Sequence, residues 1–381
     1  MLTQMLEKRS QLLDLLLNSP AQKVVAAPNM DSGGADNLCF PFVAIIGQTE
    51  MKLALLLALI NNHVGGVLLL GPRGTAKTTS VRSLADILPQ TRRSLCPNGC
   101  TEEILDKGGM DAICKSCQQK AGYGQPLTAT MAVRIVELPL NARLEDVVGG
   151  INERIALEQQ RIRLDRGILS LADGNILYID EVNLLPDAIT DAILDAAAQG
   201  QYTARRGPLK LTYRAQFTLI GSMNPEEGRL RPQILDRFGL RAVVKGLPTP
   251  DLRYQAYEQA VWYRRDPAGM MAAYLDQTIT LAQEIEQARQ RLPAVTISLP
   301  AREMGLELVQ KAAIDSNRAE ITLFEAARAN AAADERDIVT PEDIQAVALL
   351  ALRLRRSPAL EEFLRAQEAE DQQLRRFIGY E

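Results

Sequence analysis

The sequence predicts an α/β fold with a five-stranded parallel sheet, followed by an all-α domain. Short apolar runs alternate with helical stretches between Leu38 and about Leu247, which is typical of strands joined by crossover helices. A glycine-containing loop follows the first of these runs and precedes a helix. After Pro250 the pattern changes to helices separated by prolines. These three observations define the predicted architecture.

Five apolar runs are predicted to form the sheet: residues 67–70, 134–138, 176–179, 217–221 and 241–244. Runs that are mostly apolar, rather than alternating, indicate strands covered on both faces, as parallel strands are. A chain of 381 residues is long enough to bury a sizeable core and to form two or three compact units. We therefore predict three regions: an N-terminal helix and linker at 1–37, an α/β domain at 38–247, and a helical lid at 248–381.

The loop after the first strand carries a phosphate-binding pattern. It consists of Gly71, Pro72, Arg73, Gly74, Thr75, Ala76, Lys77, Thr78 and Thr79. Small residues let successive backbone N–H groups surround a phosphate, the lysine balances the phosphate charge, and the hydroxyl of Thr78 is a ligand for Mg²⁺. Ala76 stands where this pattern normally has glycine, so its methyl group must be tolerated at a position that favours positive φ.

A second nucleotide motif follows the third strand. Asp180 and Glu181 come directly after the apolar run 176–179. Asp180 is suited to hold Mg²⁺ together with Thr78, and Glu181 is suited to polarise a water that attacks the γ-phosphate. An isolated strand followed by two acids would more simply be a buried strand with a solvated turn. Its combination with the Lys77 loop predicts hydrolysis of a nucleoside triphosphate.

Two further polar residues extend this candidate site. Asn224 follows the strand at 217–221 and could contact the γ-phosphate or the attacking water, although Asn before Pro225 is also typical of a turn. Arg237 lies in the stretch 230–240 and could stabilise phosphate charge in a neighbouring subunit. For an arginine that follows Asp236, a surface ion pair is the simpler alternative.

These residues together resemble the AAA+ ATPases and, within them, the ATPase subunit I of magnesium chelatase. The resemblance extends from about Phe40 to about Arg356. The most discriminating segments are Asn-Pro-Glu-Glu-Gly at 224–228 and Leu-Arg-Pro-Gln-Ile-Leu-Asp-Arg-Phe-Gly-Leu at 230–240. Further matching segments lie at 40–42, 46–57, 136–140, 145–149 and 177–185.

The resemblance implies roles for two arginines and a set of partners. Arg237 would act in trans on the next subunit, and Arg318 would sense the nucleotide in cis, with Arg302 as a weaker candidate. ATP and Mg²⁺ would be the ligands, and the chain would form a ring, expected to be a hexamer. The ring would work with a D-type AAA subunit that bears an integrin-like domain and with the large H-type catalytic subunit. Together they would insert Mg²⁺ into protoporphyrin IX in (bacterio)chlorophyll biosynthesis.

Alternative functions stay open at this point. A related AAA+ motor acting with a von Willebrand-type partner in metal insertion or protein remodelling would share most of these motifs. A nucleic-acid motor is disfavoured, because the formal charge is −4 and no helix-turn-helix pattern is evident. A scaffold that binds nucleotide without hydrolysing it is the third alternative.

Four cysteines lie in an insertion within the α/β domain. Cys96, Cys100, Cys114 and Cys117 form C-x3-C and C-x2-C pairs, which predict a structural Zn²⁺ site at 96–117. The first pair is one residue longer than usual. Free thiols, an Fe–S cluster and disulfides are the alternatives, and disulfides are the weaker one in a reducing compartment.

The remaining segments predict local features and a location. Residues 1–19 have the apolar spacing of a helix. We expect insertions at residues 144–172 and 201–215, and we expect the second insertion to be a hairpin that turns near Gly207-Pro208. Thr340 followed by Pro341 predicts a helix start. No convincing signal peptide and no apolar run long enough for a membrane span are present, so a cytoplasmic location without membrane insertion is expected.

Overall fold

The computed structural model describes residues 39–96, 98–150, 165–206, 209–228 and 230–355. Several predicted features lie wholly or partly outside these residues: the N-terminal helix at 1–19, the linker that follows it, residues 151–164 of the expected insertion at 144–172, the hairpin turn at 207–208, and residues 356–381 of the predicted lid. In the part of the chain that the structure describes, no helix is long and apolar enough to cross a membrane.

A five-stranded parallel sheet forms the centre of the first part of the chain, as predicted. Its strands are β1 (Val67–Leu70), β4 (Ile135–Leu138), β5 (Ile176–Ile179), β8 (Thr218–Met223) and β9 (Leu240–Val243). Their order across the sheet is β4-β5-β8-β1-β9. Strand β8 therefore separates β1 from β5, so the loops that follow these three strands meet at one edge.

The sheet is covered on both faces, because alternate side chains of each strand enter different cores. In β1, Val67 and Leu69 belong to one buried cluster, whereas Leu68 and Leu70 belong to another. Among the described residues, the helices around the sheet are α1 (Thr49–Ile60), α2 (Lys77–Arg82), α5 (Leu144–Val148), α6 (Ile168–Leu171), α7 (Asp187–Gln199) and α8 (Pro232–Arg237).

Two insertions extend from this core. The cysteine-containing one is enclosed by an antiparallel pair, β2 (Gln90–Ser94) and β3 (Thr128–Ala132), and carries helices α3 (Glu102–Gly108) and α4 (Lys115–Gly122). The sequence did not predict this strand pair. The other insertion is the predicted hairpin, in which β6 (Gln201–Arg206) pairs with β7 (Leu209–Arg214).

The C-terminal part is helical. It consists of α9 (Pro250–Arg265), α10 (Pro267–Ala273), α11 (Leu275–Arg291), α12 (Leu299–Lys311), α13 (Asn317–Ala333) and α14 (Pro341–Leu352). The predicted start of α14 is confirmed, since Thr340 and Asp343 form a reciprocal capping box. The prediction of an all-α region needs one small correction, because Thr296–Ile297 and Ile338–Val339 form a short parallel pair, β10 and β11. Each of these strands has only two residues and lies in a loop between helices, so it is too short to show an apolar pattern.

Two arginines, Arg241 and Arg353, connect the end of α14 to the edge strand β9. The guanidinium of Arg241, which is 1% exposed, donates to the backbone oxygens of Arg353 at 2.7 Å and Leu235 at 2.5 Å. Arg353 in turn pairs with Glu50 of α1, whose carboxylate accepts a hydrogen bond from the backbone N–H of Val243 at 2.7 Å. Polar groups that would otherwise be left at the edge of the sheet are thus satisfied.

Stability is expected to depend on the apolar centre of β1. Leu68→Ala removes a fully buried side chain and should reduce the free energy of unfolding by about 2–5 kcal/mol, because it leaves a cavity between the sheet and its helices. Leu306→Ala on α12 is the matched control. The Leu306 side chain is 45% exposed, so its loss should change the free energy of unfolding by about 0.5 kcal/mol or less. Chemical denaturation measures both, and equal effects would contradict the assignment of this core.

Candidate nucleotide site

The predicted phosphate loop lies between the end of β1 and the start of α2. Gly71 allows the chain to pass close to the neighbouring edge strand, because a Cβ at this position would lie 2.1 Å from the backbone oxygen of Val244. Ala76 has a φ of 65°, so alanine adopts here the left-handed conformation for which glycine is usual. The backbone thus keeps the expected shape despite the substitution.

Lys77 is the first residue of α2 and is 9% exposed. Its ammonium donates to the backbone oxygens of Gly71 and Pro72, both at 2.7 Å. Burial lowers the pKa of Lys77, whereas the nearby carboxylates of Asp180, Glu227 and Glu181 act in the opposite direction. The lysine is thus held inside the loop, where its charge faces the acidic end of β5.

Asp180 is the centre of a hydrogen-bond network that joins β5, β8 and α2. It accepts from the hydroxyl of Thr78 at 3.0 Å and from the hydroxyl of Ser222. The phenol of Tyr178 donates to Thr78 at 3.3 Å. Burial alone would raise the pKa of Asp180, but the hydrogen bonds from Ser222 and Thr78 outweigh it and the pKa is lowered. Asp180 is therefore an anion beside a hydroxyl, a donor set that suits Mg²⁺.

Glu181 lies next to this network in an unusual backbone conformation. Its φ is 50°, which for a residue other than glycine is typical of strained functional positions. The conformation is supported by Ser222, whose hydroxyl oxygen accepts from the backbone N–H of Glu181 at 3.2 Å. Arg73 of the phosphate loop lies 3.4 Å from the carboxylate of Glu181. Ser222 thus holds both acids of the motif.

Asn224 lies at the end of β8 and is 4% exposed. Its amide donates to the carboxylate of Glu227 at 3.1 Å, and its oxygen accepts from the backbone N–H of Glu226 at 3.2 Å. Glu227 also pairs with Arg73 at 2.5 Å. The turn that Asn before Pro225 suggested is therefore present, and the same side chain also faces the phosphate loop.

The residues of the two motifs enclose one cavity of about 210 Å³. Its lining includes the loop residues from Arg73 to Thr79 together with Asp180, Glu181, Ser222 and Asn224. A Cβ on Gly74 would meet nothing within 4 Å, so the backbone of the loop is open to a ligand. Backbone N–H groups, one lysine and a hydroxyl–carboxylate pair fit the phosphates and the magnesium of a nucleoside triphosphate.

A larger cavity of about 500 Å³ adjoins the phosphate loop and was not predicted from the sequence. It lies between the loop, the segment before α1 and helix α9. Its lining is mainly apolar, and the residues that form it include Phe40, Ala44, Ile45, Ile46, Leu247, Ala256, Ala260 and Tyr263, together with the polar Gln48. An apolar pocket next to a phosphate loop suits a purine base. We call it the base pocket.

Arg237 and Arg318 do not lie at this site in their own subunit. Both line a separate cavity of about 260 Å³ together with Gly65 and Gly239, which precede β1 and β9. The phosphate loop follows the carboxyl end of β1, whereas this cavity lies at the amino ends of the strands. The two arginines and the phosphate loop are therefore at opposite edges of the sheet.

Arg318 forms an ion pair with Asp236, the residue that precedes Arg237. Its guanidinium lies 2.7 Å from the carboxylate of Asp236, and Arg355 approaches the same carboxylate at 3.5 Å. The cis role implied for Arg318 would need a different arrangement, because within the subunit its side chain faces Asp236. Arg302, the weaker candidate, is exposed in the first turn of α12.

The four cysteines come together as a second candidate site. Their Sγ atoms all lie within 4.8 Å of one another, and four thiolates around a tetrahedral Zn²⁺ would be separated by about 3.8 Å. All four are free thiols. Backbone N–H groups of Asn98 and Cys114 donate to the sulfurs of Cys96 and Cys100 at 3.3 and 3.4 Å. Such bonds stabilise thiolates.

The electrostatics of this cluster are asymmetric. Burial would raise the pKa of Cys114, but the backbone N–H of Cys117 and the neighbouring thiols lower it to about 6. Burial raises the pKa values of Cys100 and Cys117.

Glu102 anchors the insertion. Its carboxylate accepts hydrogen bonds from the hydroxyl of Thr128 and from the backbone N–H of Leu127, and these bonds lower the pKa of Glu102 to about 2.

Comparison with known families supports the sequence resemblance. The family model of magnesium chelatase subunit ChlI matches residues 153–237, and the model of the AAA lid domain matches residues 303–376. A crystal structure from Cytophaga hutchinsonii has a TM-score of 0.51 at 20% identity and covers 82% of this chain and 83% of that one. This last similarity concerns the fold alone.

Relatives at higher identity extend over most of the chain. The magnesium-chelatase subunit ChlI homolog of Methanocaldococcus jannaschii is 40% identical over 322 residues, which are 84% of this chain and 86% of that protein. The magnesium-chelatase subunit ChlI of Nostoc sp. is 38% identical over 331 residues, 86% of this chain and 87% of that protein. The chain, an α/β AAA+ fold with a C-terminal helical lid, therefore belongs to the family of magnesium-chelatase ATPase subunits ChlI.

Proposed function

We propose that the chain is the ATP-hydrolysing motor subunit of a magnesium chelatase, inserting Mg²⁺ into protoporphyrin IX in (bacterio)chlorophyll biosynthesis. The observation that carries the proposal is the convergence of Lys77, Thr78, Asp180, Glu181 and Asn224 on one cavity in a chain of this family. Its partners would be further copies of the chain in a hexameric ring, a D-type subunit and an H-type catalytic subunit. The ring would lie in the cytoplasm.

In the proposed mechanism the loop residues bind the triphosphate and the base pocket receives the adenine. The loop N–H groups and Lys77 balance the phosphate charge, while Thr78 and Asp180 would hold Mg²⁺, which would further neutralise that charge. Glu181 accepts a proton from the attacking water or orients it, and Asn224 holds the γ-phosphate or that water by a hydrogen bond. Ser222 fixes the positions of both acids, which keeps them organised before reaction.

The remaining charge in the proposed mechanism comes from the neighbouring subunit. Arg237 lies at the amino edge of the sheet, so it can reach a phosphate only across a subunit boundary. Arg318 lies on the same surface, and we propose that it also acts in trans rather than in cis. Asp236 would hold Arg318 in the separate subunit and release it to the stronger anion when the neighbour contains ATP.

The cysteine cluster has a separate role in this proposal. We propose that Cys96, Cys100, Cys114 and Cys117 hold one structural Zn²⁺ that stabilises the insertion between β2 and β3. Apart from the sulfurs, the insertion buries few apolar side chains, mainly Ile113 and Leu127. A metal is the usual substitute when a small unit cannot bury enough apolar surface.

Reconstitution tests the function as a whole. With D- and H-type subunits from the same source, the wild-type chain should support ATP-dependent Mg²⁺ insertion. The change in porphyrin fluorescence measures this insertion. Lys77→Ala should abolish it by preventing ATP binding, whereas Glu181→Gln should bind ATP and lose hydrolysis by about 10²-fold or more. ATP hydrolysis without any insertion would instead favour a related AAA+ motor with a different client.

Subunit mixing tests whether each arginine acts in trans. Arg237→Ala should keep ATP binding and lose about 10³–10⁵-fold in hydrolysis, and Lys77→Ala should be inactive. A mixture of the two variants should regain activity. In mixed rings the intact nucleotide site of an Arg237→Ala subunit can receive the intact Arg237 of a neighbouring Lys77→Ala subunit. The same experiment with Arg318→Ala should also show recovery, and a mixture that stays inactive would show that Arg318 acts in cis.

Metal analysis tests the zinc site. Protein purified without chelator should contain about one zinc per chain, and Cys100→Ser or Cys117→Ser should lose it, because each removes one of four ligands. Cys39→Ser is the matched control and should retain the metal, since Cys39 lies outside the cluster. Chelation should lower the melting temperature of the wild type and of Cys39→Ser, but not that of the variants that have already lost the metal. Wild-type protein with well under one zinc per chain would contradict the assignment.

A further inference from the structure

A lysine lies inside the apolar core at the start of α1. Lys52 is 1% exposed and is surrounded in sequence by Met51, Leu53 and Ala54, which are also buried. A cation placed in such surroundings must be hydrogen-bonded to be tolerated. The ammonium of Lys52 donates to the backbone oxygen of Ile45 at 2.5 Å. Lys52 belongs to neither nucleotide motif.

Lys52 holds the segment before α1 at two points. Its side chain donates to Ile45, and its backbone N–H donates to the backbone oxygen of Gln48 at 3.0 Å. Between these points Gly47 and Gln48 have φ values of 63° and 54°. Two consecutive left-handed residues, one of them not glycine, form a turn that needs support from its surroundings. The Lys52 side chain supports the first end of the turn, and the first backbone hydrogen bond of α1, from the Lys52 N–H, closes the second.

The turn is also a wall of the base pocket. Ile45, Ile46 and Gln48 line that pocket. The side chain of Gln48 donates to the backbone oxygen of Lys245 at 2.7 Å, next to Gly246 and Leu247, which also line the pocket. In a planar trans peptide the C=O and the following N–H point in opposite directions. Since the oxygen of Ile45 is turned toward Lys52 in the core, the N–H of Ile46 is turned away from the core, on the side of the pocket.

We propose that Lys52 is a positioning residue for the purine base: by holding the Ile45 oxygen in the core, it presents the Ile46 N–H to the base. This N–H can donate to N1 of adenine, which is an acceptor, but not to N1 of guanine, which carries a hydrogen. The inference rests on the proposed binding of ATP and adds the residue that sets base preference. Burial lowers the pKa of Lys52 to about 8, yet ammonium and amine both carry N–H donors, so the contact persists in either form.

Lys52→Met tests the proposal, because methionine preserves the length and apolar body of the side chain and removes the donor. KM for ATP should rise about tenfold, the effect of one lost hydrogen bond in a positioned site, while kcat stays within about twofold. The preference for ATP over GTP should fall. The affinity for Mg²⁺-tripolyphosphate, which has no base, should not change, since the phosphate loop is untouched.

Arg289→Met is the matched control. Arg289 of α11 donates to the backbone oxygen of Leu59 at 2.6 Å, so this variant removes a cationic donor that binds the opposite end of α1. It should lower the melting temperature without a change in KM or base preference. A purely structural role of Lys52 would make the two variants behave alike.

Three results would overturn the inference. The first is a Lys52→Met protein with wild-type KM and base preference. The second is an equal loss of affinity for ATP and for tripolyphosphate, which would place the effect in the phosphate loop. The third is a wild-type chain that binds neither ATP nor tripolyphosphate, which would remove the proposed function and this inference with it.

Discussion

The hydrogen bonds that Asp180 receives from Thr78 and Ser222 are the interactions on which the nucleotide site depends. They join the ends of β5 and β8 to the first turn of α2, three elements that are distant in sequence. They also keep the carboxylate charged within a partly buried site, since burial alone would raise its pKa. The strand order makes this possible, because β8 lies between β1 and β5 and its Ser222 reaches Asp180 from the adjacent strand.

A second set of polar contacts fixes the helical lid to the edge strand β9 and to helix α1. Arg241, Arg353 and Arg355 are the main members, and their partners are backbone oxygens and the carboxylates of Glu50 and Asp236. Guanidinium groups suit this position, because each can satisfy several acceptors at once. The contacts also connect the surroundings of two cavities: Glu50 belongs to α1, which begins next to the base pocket, whereas Asp236 lines the cavity at the amino ends of the strands and binds Arg318.

The sequence predicts those parts of the fold whose pattern is local. Val67–Leu70 and Ile176–Ile179 are apolar throughout and are followed by distinctive motifs, so both strands have the predicted bounds. The pair β2–β3 was missed because Gln90–Ser94 is polar and its partner begins more than thirty residues later. The base pocket was missed because ordinary apolar residues from three separate segments form it. No local signal marks such residues before the chain is folded.

The two edges of the sheet give each subunit two chemically different faces. The carboxyl edge carries the phosphate loop and the acids, and the amino edge carries Arg237 and Arg318. Arg237, the last residue of the short helix α8, lies at the amino edge and cannot reach a phosphate at the carboxyl edge of the same sheet. A contact between unlike faces is heterologous, and repeating it with a closing rotation produces a ring. Ring formation is a requirement of the proposed chemistry, because the proposed site takes Arg237 and Arg318 from a neighbouring copy of the chain.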